Sequence, residues 1–253
     1  MHLEVNHNFK KNIDLIKSDI LNFSTQGKPF GEGKRNIIKL FELEGKVVNI
    51  KSFKIPNLIN KIAYRYFRKS KARRSYEYAT ILLEKGIGTP QPIAYLENYN
   101  WIGLKDSYYA SEHLNCDLTY RELVEIPDFP DHENILRQFT HFSYYLHQKG
   151  VEFKDHSPGN TLIKKGINGD YEFFLVDLNR MNFHEKMSFE LRMKNLSRLT
   201  PVRDMIIVMS NEYAKLSGES EQLIFDTLWK STSDFQEKFA RKKRLKKRFM
   251  FWR

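Results

Sequence analysis

Two apolar runs interrupted by polar positions, Asn36-Ile37-Ile38-Lys39-Leu40-Phe41 and Val47-Val48-Asn49-Ile50-Lys51, flank the turn signal Glu44-Gly45-Lys46 and predict a pair of strands. Helical spacing follows. Tyr76, Ala79, Ile81 and Leu82 predict a helix over 70–85, which Gly86, Gly88, Pro90 and Pro92 bring to an end. An aromatic strand is expected over 106–113 and an aromatic-rich helix over 133–149. Thr161-Leu162-Ile163 and the run from Tyr171 to Val176 predict a hairpin around the turn Gly166-Ile167-Asn168-Gly169-Asp170.

Residues able to move protons and hold metal collect at the ends of these elements. Lys154-Asp155-His156-Ser157-Pro158-Gly159-Asn160 precedes the hairpin and Asp177 follows its second strand. Transfer of a phosphoryl group from ATP needs a carboxylate near the acceptor hydroxyl and oxygen ligands that keep Mg2+ against the phosphates. The spacing Asp-x-x-x-x-Asn from Asp155 to Asn160 meets that need, with Asp155 as base and Asn160 and Asp177 as metal ligands. Loops also contain Asp, Asn, Pro and Gly for conformational reasons alone, so the stretch equally describes an ordinary turn.

Phosphates would be held by a lysine on a strand, itself fixed by a helix glutamate. Lys51 in Val47-Val48-Asn49-Ile50-Lys51 is the candidate; Lys54 lies at an odd offset, so only one of the two can point inward. Glu77 sits beside the apolar positions of the 70–85 helix and is the expected partner of Lys51, with a helix-surface salt bridge to Arg73 or Arg74 as the alternative. Upstream, Gly31 and Gly33 in a cationic loop would let backbone amides approach ATP phosphates, although a Gly-x-Gly segment is also a common turn.

The order of these parts resembles the protein-kinase-like fold. More narrowly, Ser70 to Ala79, the segment Gly86-Ile87-Gly88-Thr89-Pro90-Gln91-Pro92-Ile93-Ala94-Tyr95, the 154–160 loop and Val176-Asp177-Leu178-Asn179-Arg180 resemble the bacterial lipopolysaccharide kinases, which phosphorylate Kdo or heptose of the inner core. The resemblance spans about 27–198. It implies an α+β, bilobal architecture with a small β-rich N-lobe and a helical C-lobe. The expected parts are an N-terminal extension 1–24, an N-lobe 25–113, a C-lobe 114–240 and a tail 241–253. It also implies ATP and Mg2+ as cofactors and a lipid-linked core glycan as substrate. Two positions depart from the kinase pattern: Phe153 replaces the usual histidine two residues before the catalytic aspartate, and Asn179 replaces the glycine that protein kinases place after the metal aspartate. Neither removes a group the chemistry requires. A protein Ser/Thr kinase and a non-catalytic kinase-like scaffold stand as alternatives.

Composition bounds the rest. A chain of 253 residues with 41% hydrophobic residues is long enough for one such unit. No apolar run approaches the roughly 20 residues of a bilayer span, and Met1 to Asn6 lacks the regions of a signal peptide, so a cytoplasmic location is expected. The single Cys116 suits a reducing compartment, and His141 and His147 are expected to pack or face solvent rather than bind metal. Charge is concentrated at one end. Arg241, Lys242, Lys243, Arg244, Lys246, Lys247, Arg248 and Arg253 supply eight of the net +11, leaving +3 for residues 1–240. Phe249, Met250, Phe251 and Trp252 stand among them, the combination an interfacial anchor needs on the anionic inner leaflet. A solubilising tail and a nucleic-acid arm are the alternatives, with nucleic acid not favoured.

Overall fold

The computed structural model describes residues 1–31, 36–55, 57, 61, 63–64 and 66–250, the last five by backbone alone. They form two compact units, Met1–Asn115 with Val176–Asn179, and Cys116–Leu175 with Arg180–Arg253.

The first unit is built on an antiparallel six-stranded sheet. Its strands are β1 (His2–Val5), β2 (Lys28–Phe30), β3 (Ile37–Leu43), β4 (Lys46–Ser52), β5 (Pro92–Tyr99) and β6 (Leu104–Glu112), in the order β1-β5-β6-β4-β3-β2. β3 and β4 are joined by Glu44 and Gly45, both at positive φ (49° and 77°), with Leu43 opposite Lys46. Left-handed values at both central positions match the twist of a two-residue hairpin. In β4 the buried Val48 and Ile50 alternate with Asn49 and Lys51 on the other face.

Residues 1–24 are integrated with this sheet. β1 runs antiparallel to β5 with Val5 opposite Ala94, and Ile16 and Ile20 of helix α1 (Ile13–Leu21) join Phe23, Phe41, Val48, Ile50 and Leu96 in one core. Helix α2 (Lys71–Glu84) packs on β5 and β6 through Ala72, Ala79 and Leu82. Its first turn is capped by the Ser70 hydroxyl, which accepts from the Arg73 amide at 3.1 Å.

The second unit begins with β7 (Leu118–Thr119) and α3 (Tyr120–Glu125), where Thr119 and Glu122 form a reciprocal capping box. It continues with α4 (His132–Gln148), β8 (Val151–Phe153), β9 (Thr161–Lys165), β10 (Tyr171–Leu175), β11 (Met181–Phe183), α5 (Phe189–Leu196), α6 (Arg203–Ser217) and α7 (Glu221–Met250). The helices enclose a core that includes Tyr120, Leu136, Phe139, Ile163, Met193, Met209, Tyr213 and Leu228. β9 and β10 form the expected hairpin, with Leu175 opposite Thr161.

β8 pairs with β11, Phe153 opposite Met181. Gly150 makes this pairing possible. It has φ 72°, accepts from the His184 amide at 2.8 Å, and a Cβ there would collide with the His184 carbonyl. Residues 241–250 continue α7 without a break. No helix among the described residues is long and apolar enough to cross a membrane.

Candidate active site

The predicted site residues divide between the two units. In the first, alternation along β4 turns Lys51 away from the Val48 and Ile50 face, and its amine donates to Asp177 Oδ1 at 2.9 Å. The lysine side chain is only 15% exposed, and its charge lies 5.4 Å from the centre of the Phe53 ring. Asp177 has φ 59°, a left-handed conformation that aspartate tolerates better than most residues. The amide nitrogen of Asn179 donates to the same Asp177 oxygen at 2.7 Å. Asn179 thus ties the carboxylate to its own chain. Lys54 lies beyond the end of β4 and is exposed, with its backbone amide 3.4 Å from Asn36 Oδ1.

The expected pairing of Lys51 with Glu77 is not formed. Glu77 instead accepts from Lys69 at 2.9 and 2.8 Å and from Arg73 at 2.9 Å. Arg73 is one turn earlier on the same helix, so this pair needs no approach of a second element. Partial burial pushes the Glu77 carboxyl up, but the hydrogen bonds from Lys69 and Arg73 outweigh it and hold its pKa below the ordinary value. Gly31 lies just past β2 at φ 76°, with open space where a Cβ would stand. Gly33 lies outside the described residues.

In the second unit, the loop after β8 carries Asp155. The Lys154 amide donates to the Arg180 carbonyl at 3.0 Å, which extends the β8 and β11 pairing by one step and draws Arg180 alongside. Asp155 Oδ1 then accepts from Arg180 Nη1 at 3.1 Å and from Arg198 Nη1 at 3.2 Å. Arg198 Nη1 also donates to the Lys154 carbonyl. The Asn160 amide nitrogen donates to the Asp155 carbonyl at 2.8 Å, closing the loop across its own 3-10 turn. Sequence reasoning missed the two arginines as partners of Asp155. Arg180 was visible in the Asp177 to Arg180 run, whereas nothing local to Arg198 linked it to residue 155.

Below the loop lies a buried polar chain. His147 on α4 has Nδ1 2.9 Å from the Tyr213 hydroxyl and Nε2 3.2 Å from Asn195 Oδ1, and Asn195 donates to the Phe153 carbonyl at 2.8 Å. His156 is enclosed by the rings of Phe139 and Phe153, with centroids 5.7 and 5.6 Å away. Burial disfavours the charged imidazole and lowers His147 to about 3 and His156 to about 4. His141 on the same helix faces outward and pairs with Glu212 at 2.7 Å.

Each unit offers oxygen of the kind a hard cation takes. In the first, Asp177 presents a carboxylate; in the second, Asn160, with its amide nitrogen committed to Asp155, is left with an amide oxygen that makes no other hydrogen bond among the described residues. Magnesium takes such oxygen donors and completes its shell with water and phosphate. No group of three or more His, Cys, Asp or Glu side chains among the described residues could hold a metal ion, so a softer His/Cys site has no support there.

A solved structure described as WaaP in complex with acyl carrier protein superposes with a TM-score of 0.64 over 95% of this chain and 99% of its own, at 17% identity. The fold is protein-kinase-like. It is α+β, with a β-rich N-terminal unit and a helical C-terminal one, as the sequence resemblance implies. No family model matches the chain, and no curated protein matches its sequence.

His147 and His156 generate a pH dependence of stability. Both have folded-state values below the unfolded value of about 6.5, so the unfolded chain binds more protons as pH falls through that range. Stability is complete above pH 7 and declines from about pH 6.5 towards 4, by about 2 kcal/mol per histidine on reaching pH 5. Urea unfolding across pH 5–7.5 is expected to follow this slope, and His147→Gln should make it shallower; an equal slope in the variant would remove His147 from the account.

Proposed function

We propose that the chain is an ATP-dependent kinase that phosphorylates a Kdo or heptose sugar of the lipopolysaccharide inner core. The observation that carries this reading is the short Lys51 to Asp177 ion pair, a largely enclosed strand lysine on a partly exposed aspartate that follows a β-hairpin. The narrower substrate class rests on the motif resemblance. Arg180 and Arg198 beside Asp155 favour it, because anionic core sugars would meet cations at the acceptor position.

The chemistry assigns each group one task. Lys51 would neutralise and orient the phosphates, and, as the motif resemblance implies, Asp177 and Asn160 would each offer an oxygen to magnesium, which supplies charge neutralisation when bound. Asp155 aligns the sugar hydroxyl and accepts its proton as the oxygen bonds to the γ-phosphorus. The bond to the bridging oxygen breaks and ADP leaves. Asn160 holds the Asp155 backbone while this happens. Asn179, in place of a mobile glycine, keeps Asp177 in one position, which suits an enzyme that is always on.

The reading extends to location: the enzyme would be peripheral on the cytoplasmic face of the inner membrane, which the composition of the C-terminal helix supports. Phe239 and Leu245 are 58% and 46% exposed on α7, interleaved with Arg241 to Arg244. Such a helix end combines attraction to anionic headgroups with apolar insertion.

Phosphate transfer from labelled ATP to isolated core glycolipids, run beside a panel of proteins, tests the activity. Transfer to glycolipid alone is expected, and transfer to proteins alone would favour a protein kinase. Asp155→Ala and Asp177→Ala should each reduce turnover by at least about 100-fold with cooperative unfolding retained. Near-normal turnover by Asp155→Ala would overturn its role.

Deleting residues 241–253 should spare activity on a soluble acceptor and lower it on vesicle-borne acceptor. The eight charges, at roughly 1 kcal/mol each near an anionic surface, should make vesicle binding strong at low salt and weak at high salt. Equal activity of both forms on vesicles at every salt concentration would rule out the anchor, and salt-sensitive binding to RNA alone would favour a nucleic-acid arm.

A further inference from the structure

We propose that Phe235 of helix α7 is a positioning residue for Asp155, acting through Arg198; this rests on the reading of Asp155 as the base. The guanidinium carbon of Arg198 lies 5.0 Å from the centre of the Phe235 ring. Its Nη1 donates both to the Lys154 carbonyl and to Asp155 Oδ1, so one nitrogen ties backbone and side chain of adjacent loop residues together. Rotation of the guanidinium plane would break both bonds. Arg198 Nε is buried and has no hydrogen-bond partner among the described residues, so hydrogen bonds alone leave that side of the group unfixed. The face of an aromatic ring attracts a cation and favours a parallel planar group, which supplies the missing restraint.

Arg180 does not replace it. Its side chain is 55% exposed, against 33% for Arg198, so Arg198 is the more confined cation on the carboxylate. Phe235 is in turn held in place. Its ring stacks on Phe239 at 6.2 Å with an interplanar angle of 24°, and Thr232 one turn earlier and Leu228 two turns earlier are buried. The sequence from helix to base therefore runs Phe239, Phe235, Arg198, Asp155. A base displaced by an ångström loses much of its effect, so a ring remote from the reacting atoms acts on turnover.

The test compares Phe235→Leu, which keeps apolar bulk but loses the ring, with Phe235→Tyr, which keeps the ring. Phe235→Leu should lower kcat roughly 3- to 30-fold with KM for ATP unchanged, the range a cation–ring contact spans. Phe235→Tyr should stay within about twofold of the parent chain. Independently of activity, amide hydrogen exchange over residues 152–160 should speed up in Phe235→Leu and not in Phe235→Tyr, with exchange in α4 unaltered. An unchanged kcat and exchange rate in Phe235→Leu would overturn the proposal. So would equal damage in both variants, or faster exchange throughout α4, since either means that Phe235 acts through packing alone. If the parent chain transfers no phosphate to any acceptor, the kinase reading fails while the exchange measurement still decides whether Phe235 and Arg198 hold the loop.

Discussion

The two carboxylates of the candidate site, Asp155 and Asp177, are held by cations that arrive from other elements. Lys51 reaches Asp177 from β4, and Arg180 and Arg198 reach Asp155 from β11's leading edge and the end of α5. The carboxylates stand on loops, where unrestrained side chains would sample several rotamers. Half-exposed ion pairs contribute only about 0–1 kcal/mol to stability, so their value here is geometric. Phosphoryl transfer asks for that, because alignment of nucleophile, base and metal ligands supplies most of its acceleration. The short β8 and β11 ladder, with Gly150 at its start, places the Asp155 loop and Arg180 side by side.

Local patterns made much of this legible before the structure. The hairpin that ends before Asp177 was visible because Asn168 and Gly169, both at positive φ, separate two apolar runs. Lys51 was the candidate because it ends the strand run Val47-Val48-Asn49-Ile50-Lys51, with strand alternation allowing only one of Lys51 and Lys54 to point inward, and the Lys51 amine reaches Asp177. The partner of Lys51 was not legible. Glu77 has a competing arginine four residues earlier, and periodicity cannot decide between a partner on the same helix and one on a distant strand. Long-range pairings failed for a similar reason. Four residues at His2–Val5 carry too little pattern to announce a strand, yet they pair with β5 about ninety positions on. Arg198 likewise reveals its role only once folding brings it to residue 155.

The C-terminal helix unites two features that looked separate in sequence. Lysine and arginine are good helix formers, so the basic run continues α7 instead of leaving it as a loose tail. One helix therefore carries buried core residues, then Phe235 against Arg198, then the cationic stretch. The proposed surface anchor and the Phe235 contact with Arg198 thereby share one helix.

The central claim is that the Lys51 and Asp177 pair serves a magnesium nucleotide. Calorimetric titration of the whole chain with ATP tests it most directly, with magnesium and then with the metal chelated. The account predicts saturable binding that requires magnesium and is lost in Asp177→Asn, whose amide leaves the volume unchanged but removes the charge. Absence of ATP binding in the parent chain, or magnesium-independent binding unaffected by Asp177→Asn, would contradict it.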